Sequence, residues 1–210
     1  MVKILEVDSQ SPQVEAIAEA ATTIRTGGLV VYPTETVYGL GTDACSNEAV
    51  TKVFATKTRP LEDPIPVAVN SFELANRIAE LTPIAELAFK KFLPGPLTLV
   101  VKAKPGKISE LVTAGTENVG IRVPDHPVAL KLIEFVGGPI TATSANLSGK
   151  PAPISLRGAL EQLGEHVDVA LDSGKCKLGK PSTVLDLSSD PPRILREGPI
   201  SERELSRILK

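Results

Sequence analysis

Apolar residues recur at helical spacing at Val14, Ile17, Ala18, Ala21 and Ile24, behind Ser11 and Pro12, the residue types of an N-cap and a first helical position. Gly27-Gly28 supplies a stop, and Leu29 to Tyr32 follows as an apolar run of strand length. The alternation continues down the chain. Helices are predicted over Asn47 to about Lys57 behind Ser46, Phe72 to Glu80, Ile84 to Phe92, Pro127 to Val136 and Leu156 to Leu163. Strands are predicted over Ile65 to Val69, Leu97 to Val101, Val119 to Val123, Ile140 to Thr143, Val167 to Leu171 and Thr183 to Leu187. Ser201-x-x-Glu204 reads as a capping box, and Leu205, Ile208 and Leu209 give the short helix it opens a face to dock. With no repeat, long linker or break in composition, the economical architecture is a single α/β domain over residues 1–210 with a large mixed β-sheet flanked by helices.

Composition narrows the function classes more than the fold. Sixteen Gly and 18 Pro in 210 residues fall short of a low-complexity chain, so a packed domain is expected. A net charge of −2 argues against coating nucleic-acid backbone as the main task, while leaving room for a local basic groove. The uncharged stretch Phe135 to Gly149 is broken by Gly137, Gly138 and Pro139 and carries Thr141, Thr143, Ser144 and Asn146, so it does not suit a bilayer span. Lys3 and Glu6 interrupt the first ten residues where a signal peptide would be apolar, and a cytoplasmic protein is expected. Cys45 and Cys176 form no Cys-x-x-Cys pair and no histidine stands at ligand spacing, so neither a metal site nor a disulfide framework is indicated.

Two stretches imitate phosphate-binding motifs and fail on context. Gly174 to Lys180 has P-loop spacing, but Pro181 stands where Ser or Thr would ligate magnesium, and Ser182 to Leu187 reads as a strand rather than a helix. Six residues, Pro33 to Tyr38, separate Gly39-x-Gly41-x-x-Ala44 from the preceding strand, too many for a dinucleotide fingerprint. His126 and His166 lack a Gly-x-Ser-x-Gly or catalytic cysteine partner, and His126 beside Pro127 reads first as a helix-start residue.

Three polar pairs at i and i+2 sit at predicted element ends: Thr34 with Thr36, Lys57 with Arg59, and Ser144 with Asn146. Extended backbone points such pairs the same way. Pro60 pushes Arg59 out of the helical region, so Lys57 and Arg59 are expected to share a face, where two cations suit a triphosphate. From these residues alone a solvated helix end explains the Lys-x-Arg pair as well, and turn chemistry explains Ser-x-Asn.

Taken together, Pro33-Thr34-Glu35-Thr36-Val37-Tyr38-Gly39-Leu40-Gly41, Lys57-x-Arg59-Pro60, Pro94-Gly95-Pro96-Leu97-Thr98, Arg122-Val123-Pro124-Asp125-His126-Pro127 and Thr143-Ser144-Ala145-Asn146-Leu147-Ser148-Gly149 resemble, in order, the YrdC-like threonylcarbamoyl-adenylate synthases. The likeness runs from about Pro12 to Gly198. It implies a YrdC-like fold with a twisted sheet, and an enzyme that joins L-threonine, bicarbonate or CO2 and ATP into threonylcarbamoyl-AMP and pyrophosphate. A separate transferase would then pass the threonylcarbamoyl group to tRNA.

By that resemblance Lys57 and Arg59 would serve catalysis and, with Ser144, Asn146 and Arg196, bind ATP, while Thr34, Arg122 and Ser182 would hold threonine. The chemistry agrees: a carbamate oxygen attacks the α-phosphate, and charge growing on the departing pyrophosphate calls for cations and for magnesium travelling with the nucleotide. Arg122 also stands out without the resemblance, as the one cation in the apolar strand Val119 to Val123. The chain departs from the family pattern at Ala68, where relatives often carry His, and at Glu197, where many have Pro. It stops at Lys210, so gating by an appended C-terminal domain is not expected. Two rivals stay open. One is a carbamoyl-adenylate-forming relative. The other is a ribosome-maturation module that binds RNA weakly through Lys102, Lys104 and Lys107 if they converge with Lys175, Lys177 and Lys180.

Overall fold

The computed structural model describes residues 1–209. The elements begin with β1 (Lys3–Glu6), α1 (Val14–Arg25), β2 (Val30–Tyr32), β3 (Gly39–Gly41), α2 (Asn47–Lys57) and β4 (Val67–Ala68). There follow α3 (Phe72–Ile78), α4 (Pro83–Phe92), β5 (Leu97–Lys102), β6 (Asn118–Arg122), α5 (Pro127–Val136), β7 (Ile140–Thr141) and β8 (Thr143–Ser144). The chain closes with α6 (Leu156–Leu163), β9 (Val169–Asp172), β10 (Thr183–Asp186), β11 (Arg193–Arg196) and α7 (Glu202–Leu205). No helix among the described residues is long and apolar enough to cross a membrane.

The strands form two mixed sheets, in the orders β1-β9-β2-β3-β8 and β11-β10-β5-β6-β4-β7. They meet at one seam. Ile140 pairs with Ala68 in the second sheet and bridges to Asp43 on its other side, and one residue on, Ala142 N–H donates to the Pro66 carbonyl at 2.7 Å. Thr143 and Ser144 then pair with Leu40 and Gly39 of the first sheet. The apolar run Ile140 to Thr143 is therefore not one strand, because the chain changes sheets at Ala142. Residues that end strands in both sheets are brought to this seam.

The glycines of β3 explain why Gly39-x-Gly41 exists without a dinucleotide. A Cβ on Gly39 would stand 2.8 Å from the Tyr32 ring and one on Gly41 2.9 Å from it, so both glycines seat a buried tyrosine. Glycine is a poor strand former, and tertiary packing makes a strand here that propensity does not announce. Also unannounced are β1 and β11, which are short, carry Lys, Glu or Arg at their ends and lie at sheet edges, where alternation is weak. The expected cap of α1 is corrected too. The helix starts at Val14 after an uncapped Gln13, because Ser11 is taken into a turn in which its N–H donates to the Asp8 carboxylate. Ser46, His126 and Ser201 cap as expected, the last in a full capping box.

The two lysine loops do not converge. β5 and β10 run parallel with Leu97 beside Thr183, so Lys175 to Lys180 precede one end of the pair and Lys102 to Lys107 leave from the other. The basic patch needed for the RNA-binding rival is split across the sheet.

Candidate active site

Two adjoining cavities open at the seam and share Val37, Arg122, Ala142, Thr143 and Ser144. The outer one, about 110 Å³, is also lined by Arg59, Thr98, Ser182 and Arg196. The inner one, lined by Tyr32, Thr34, Ala68 and Pro124 among others, measures about 20 Å³, room for roughly one water.

Lys57 ends α2 and is 1% exposed. Its ammonium donates to the carbonyls of Ser144 and Asn146, each at 2.5 Å, and its own carbonyl accepts from Ser148 N–H at 2.9 Å. Lysine is thus the bolt between the helix end and the Ser144 to Ser148 turn. Burial pulls its pKa down to about 7, with the Arg59 charge adding to the shift, whereas the two carbonyls favour the protonated form and work against that fall. Thr58 stops the helix in the left-handed region at φ 51°, and Arg59 N–H closes the turn onto the Phe54 carbonyl. For a β-branched residue this conformation is strained. The two cations therefore part instead of sharing the expected face: Lys57 runs inward, while Arg59 lines the outer cavity and donates to the Asp63 and Pro64 carbonyls.

Ser144 ends β8, and a tight turn carries the chain on to Asn146, whose N–H donates to the Ser144 carbonyl at 2.9 Å. The Asn146 amide nitrogen donates to the Leu147 and Lys150 carbonyls, both at 2.8 Å, which leaves its Oδ1 buried and without a donor. Ser148 Oγ is likewise buried without a partner. Such orphans are uncommon in a folded protein and mark oxygens available to a ligand.

Arg122 closes β6 and lines both cavities. Its Nη2 stands 2.7 Å from Glu35 Oε1, and both side chains are almost wholly buried. The contact is ionic only. The N–H does not point along it, Nε has no partner, and neither Glu35 oxygen receives a hydrogen bond. On the outer side Arg196 Nε donates to the Ser182 carbonyl at 3.0 Å and Nη2 to its hydroxyl at 3.2 Å, which also contacts Thr98 Oγ1 at 2.8 Å. Gly198 makes this possible, because a Cβ there would lie 2.2 Å from Thr183 N. Burial lowers the pKa of Arg59 and of Arg196, and the charge of Arg122 lowers that of Arg196 further. Three guanidiniums around one cavity are mutually unfavourable until an anion joins them.

The structure therefore gathers Arg59, Ser144, Arg122, Ser182 and Arg196 around the outer cavity and Thr34 around the inner one, and sets Lys57 and Asn146 just behind the wall. The Thr34 hydroxyl is already committed, donating to the Val37 carbonyl at 2.6 Å within its own turn. Sequence reasoning missed Glu35 and Thr98. Glu35 falls between Thr34 and Thr36, so a rule that pairs i with i+2 steps over it; Thr98 was visible as the lone polar residue in Leu97 to Val101. Among the described residues no cluster of three or more His, Cys, Asp or Glu is placed to hold a metal ion.

The family model Sua5/YciO/YrdC, described as "Telomere recombination", matches residues 22–198. The chain is 42% identical over 191 residues to a threonylcarbamoyl-AMP synthase of Pyrococcus abyssi, covering 90% of this chain and 56% of that protein. It is 40% identical over 205 residues to the threonylcarbamoyl-AMP synthase of Bacillus subtilis, covering 97% and 58%. It thus spans less than two thirds of the length of these two curated relatives. The crystal structure of P. abyssi Sua5 complexed with L-threonine superposes with a TM-score of 0.94 at 40% identity, covering 98% of this chain and 60% of that one.

Proposed function

Because this chain belongs to the Sua5/YciO/YrdC family, we propose that it is an L-threonylcarbamoyladenylate synthase, a nucleotidyltransferase making threonylcarbamoyl-AMP and pyrophosphate from L-threonine, bicarbonate or CO2 and ATP. The observation that carries this reading is the ring of Arg59, Arg122 and Arg196 around one cavity, with a single buried carboxylate, Glu35, behind it. Such a site seeks a ligand of several negative charges.

In this reading Arg59 and Arg196 take the phosphates from opposite sides, and Arg122, facing both cavities, takes the threonine carboxylate beside Ser182 and Thr34. Lys57 fixes the carbonyl side of the Ser144 to Asn146 turn, with its third N–H left for a phosphate oxygen; Asn146 Oδ1 accepts from a nucleotide hydroxyl or amine. Held this way, the carbamate oxygen meets the α-phosphate among cations aimed at the charge that develops on the leaving group. The donors suit magnesium only as a companion of the nucleotide, since the neutral oxygens of Asn146 and Ser148 are the free protein ligands and phosphate oxygens would complete the shell. When bound, it would neutralise phosphate charge. The product would pass to a tRNA threonylcarbamoyl transferase.

The test is pyrophosphate release with each substrate withheld in turn. Release is expected only when L-threonine, bicarbonate, ATP and magnesium are all present. Equal turnover without threonine would sink the proposal and favour carbamoyl-adenylate formation.

A further inference from the structure

Glu35 is 5% exposed and carries the least satisfied polar atoms of the site. A carboxylate is an acceptor with no donor of its own, and burying it unbonded is costly unless a cation sits beside it. Its other neighbours do not help. The Tyr32 hydroxyl is spent on the Thr141 carbonyl at 3.1 Å, and the Cys176 thiol, pushed up to about 11 mainly by burial, stays neutral. Among the described residues that leaves Arg122, at 2.7 Å.

The dependence runs both ways. Arg122 has Arg59 and Arg196 across the cavity, and with no counter-charge behind it their repulsion would favour rotamers that leave the wall. Glu35 is itself fixed in place. Thr34 and Thr36 join hydroxyls at 2.8 Å on either side of it in the bend, and the Glu35 carbonyl accepts from Leu178 N–H at 2.9 Å. We propose that Glu35 is the positioning residue for Arg122: its carboxylate holds Nη2 so that Nη1 is presented to the cavity, set for the carboxylate of the amino-acid substrate. The inference rests on the reading that this cavity binds threonine.

Glu35→Gln tests it, because the amide keeps the shape and removes the charge. By calorimetric titration the variant is expected to bind L-threonine at least tenfold more weakly and ATP within about twofold of the unmodified protein. In steady-state assays the threonine KM should rise while kcat at saturating threonine stays within about threefold, a split that general loosening of the fold would not produce. Unchanged or tighter threonine binding, or equal losses for threonine and ATP, would overturn the role. Should the Gln variant not fold, Glu35→Asp takes its place, withdrawing the charge by one methylene, and the same threonine-against-ATP comparison decides. An unmodified protein that binds ATP but no threonine would overturn the substrate reading first, and this inference with it.

Discussion

The two buried cations of the site are satisfied in opposite ways. Lys57 gives two short hydrogen bonds to main-chain carbonyls and is locked. Arg122 has one ionic contact of poor hydrogen-bond geometry, with unpartnered nitrogens on its side and unpartnered oxygens on Glu35. A group anchored by short hydrogen bonds holds a shape, whereas one without any waits for a partner. In the proposed reading the Lys57 end sets the geometry of the nucleotide side, and the Arg122 end is left to be completed by substrate.

The sharpest way to break this contrast is Lys57→Met. The Asn146 carbonyl would lose its donor, at a cost of about 1–3 kcal/mol, while the Ser144 carbonyl keeps Asn146 N–H, so thermal unfolding should show a fall in Tm of roughly 2–12 °C, together with loss of most activity. A surface lysine at a helix end would give neither, and an unchanged melting curve would return Lys57 to that role. At the other end, Arg122→Lys should melt within a few degrees of the unmodified protein yet bind threonine about ten- to a hundredfold more weakly, because an ammonium cannot reproduce the planar fork. Calorimetry that finds ATP weakened as much as threonine would erase the difference between the ends.

Acid should act near the Arg122 end. His126 caps α5, Nδ1 accepting from Val128 N–H at 3.3 Å, and burial, followed by the charge of Lys177, holds its pKa down to about 4 from an ordinary 6.5. The unfolded chain binds the proton first, so this contribution to stability is complete above pH 6.5 and is lost as pH falls toward 4. His126→Asn keeps a capping acceptor and cannot titrate, so urea unfolding at pH 7 and pH 5 should show a shallower pH dependence in the variant. Parallel slopes would remove His126 from the account. The smallest effect concerns the turn that parts Lys57 from Arg59. Thr58→Gly should relieve left-handed strain worth about 1 kcal/mol and raise Tm by about 2–4 °C, and a lower Tm would mean the turn is not strained.

Local pattern was enough for much of this protein. Period-3.6 and period-2 signals placed the helices from α2 to α6 and the buried strands, because those faces are apolar wherever they pack. Motif identity singled out Arg122 and the Lys-x-Arg and Ser-x-Asn pairs. Three matters belonged to tertiary structure. The edge strands β1 and β11 and the glycine strand β3 exist because a neighbour supplies the ladder or a tyrosine ring fills the glycine gap. The apolar run at Ile140 divides between two sheets because its two halves find different partners across a seam that joins Asp43, Pro66 and Ala68 from distant parts of the chain. The roles within the polar pairs were decided the same way. Spacing says which residues lie close along the backbone, but whether an ammonium meets a carbonyl or a phosphate depends on what the fold brings to it from about 90 residues away.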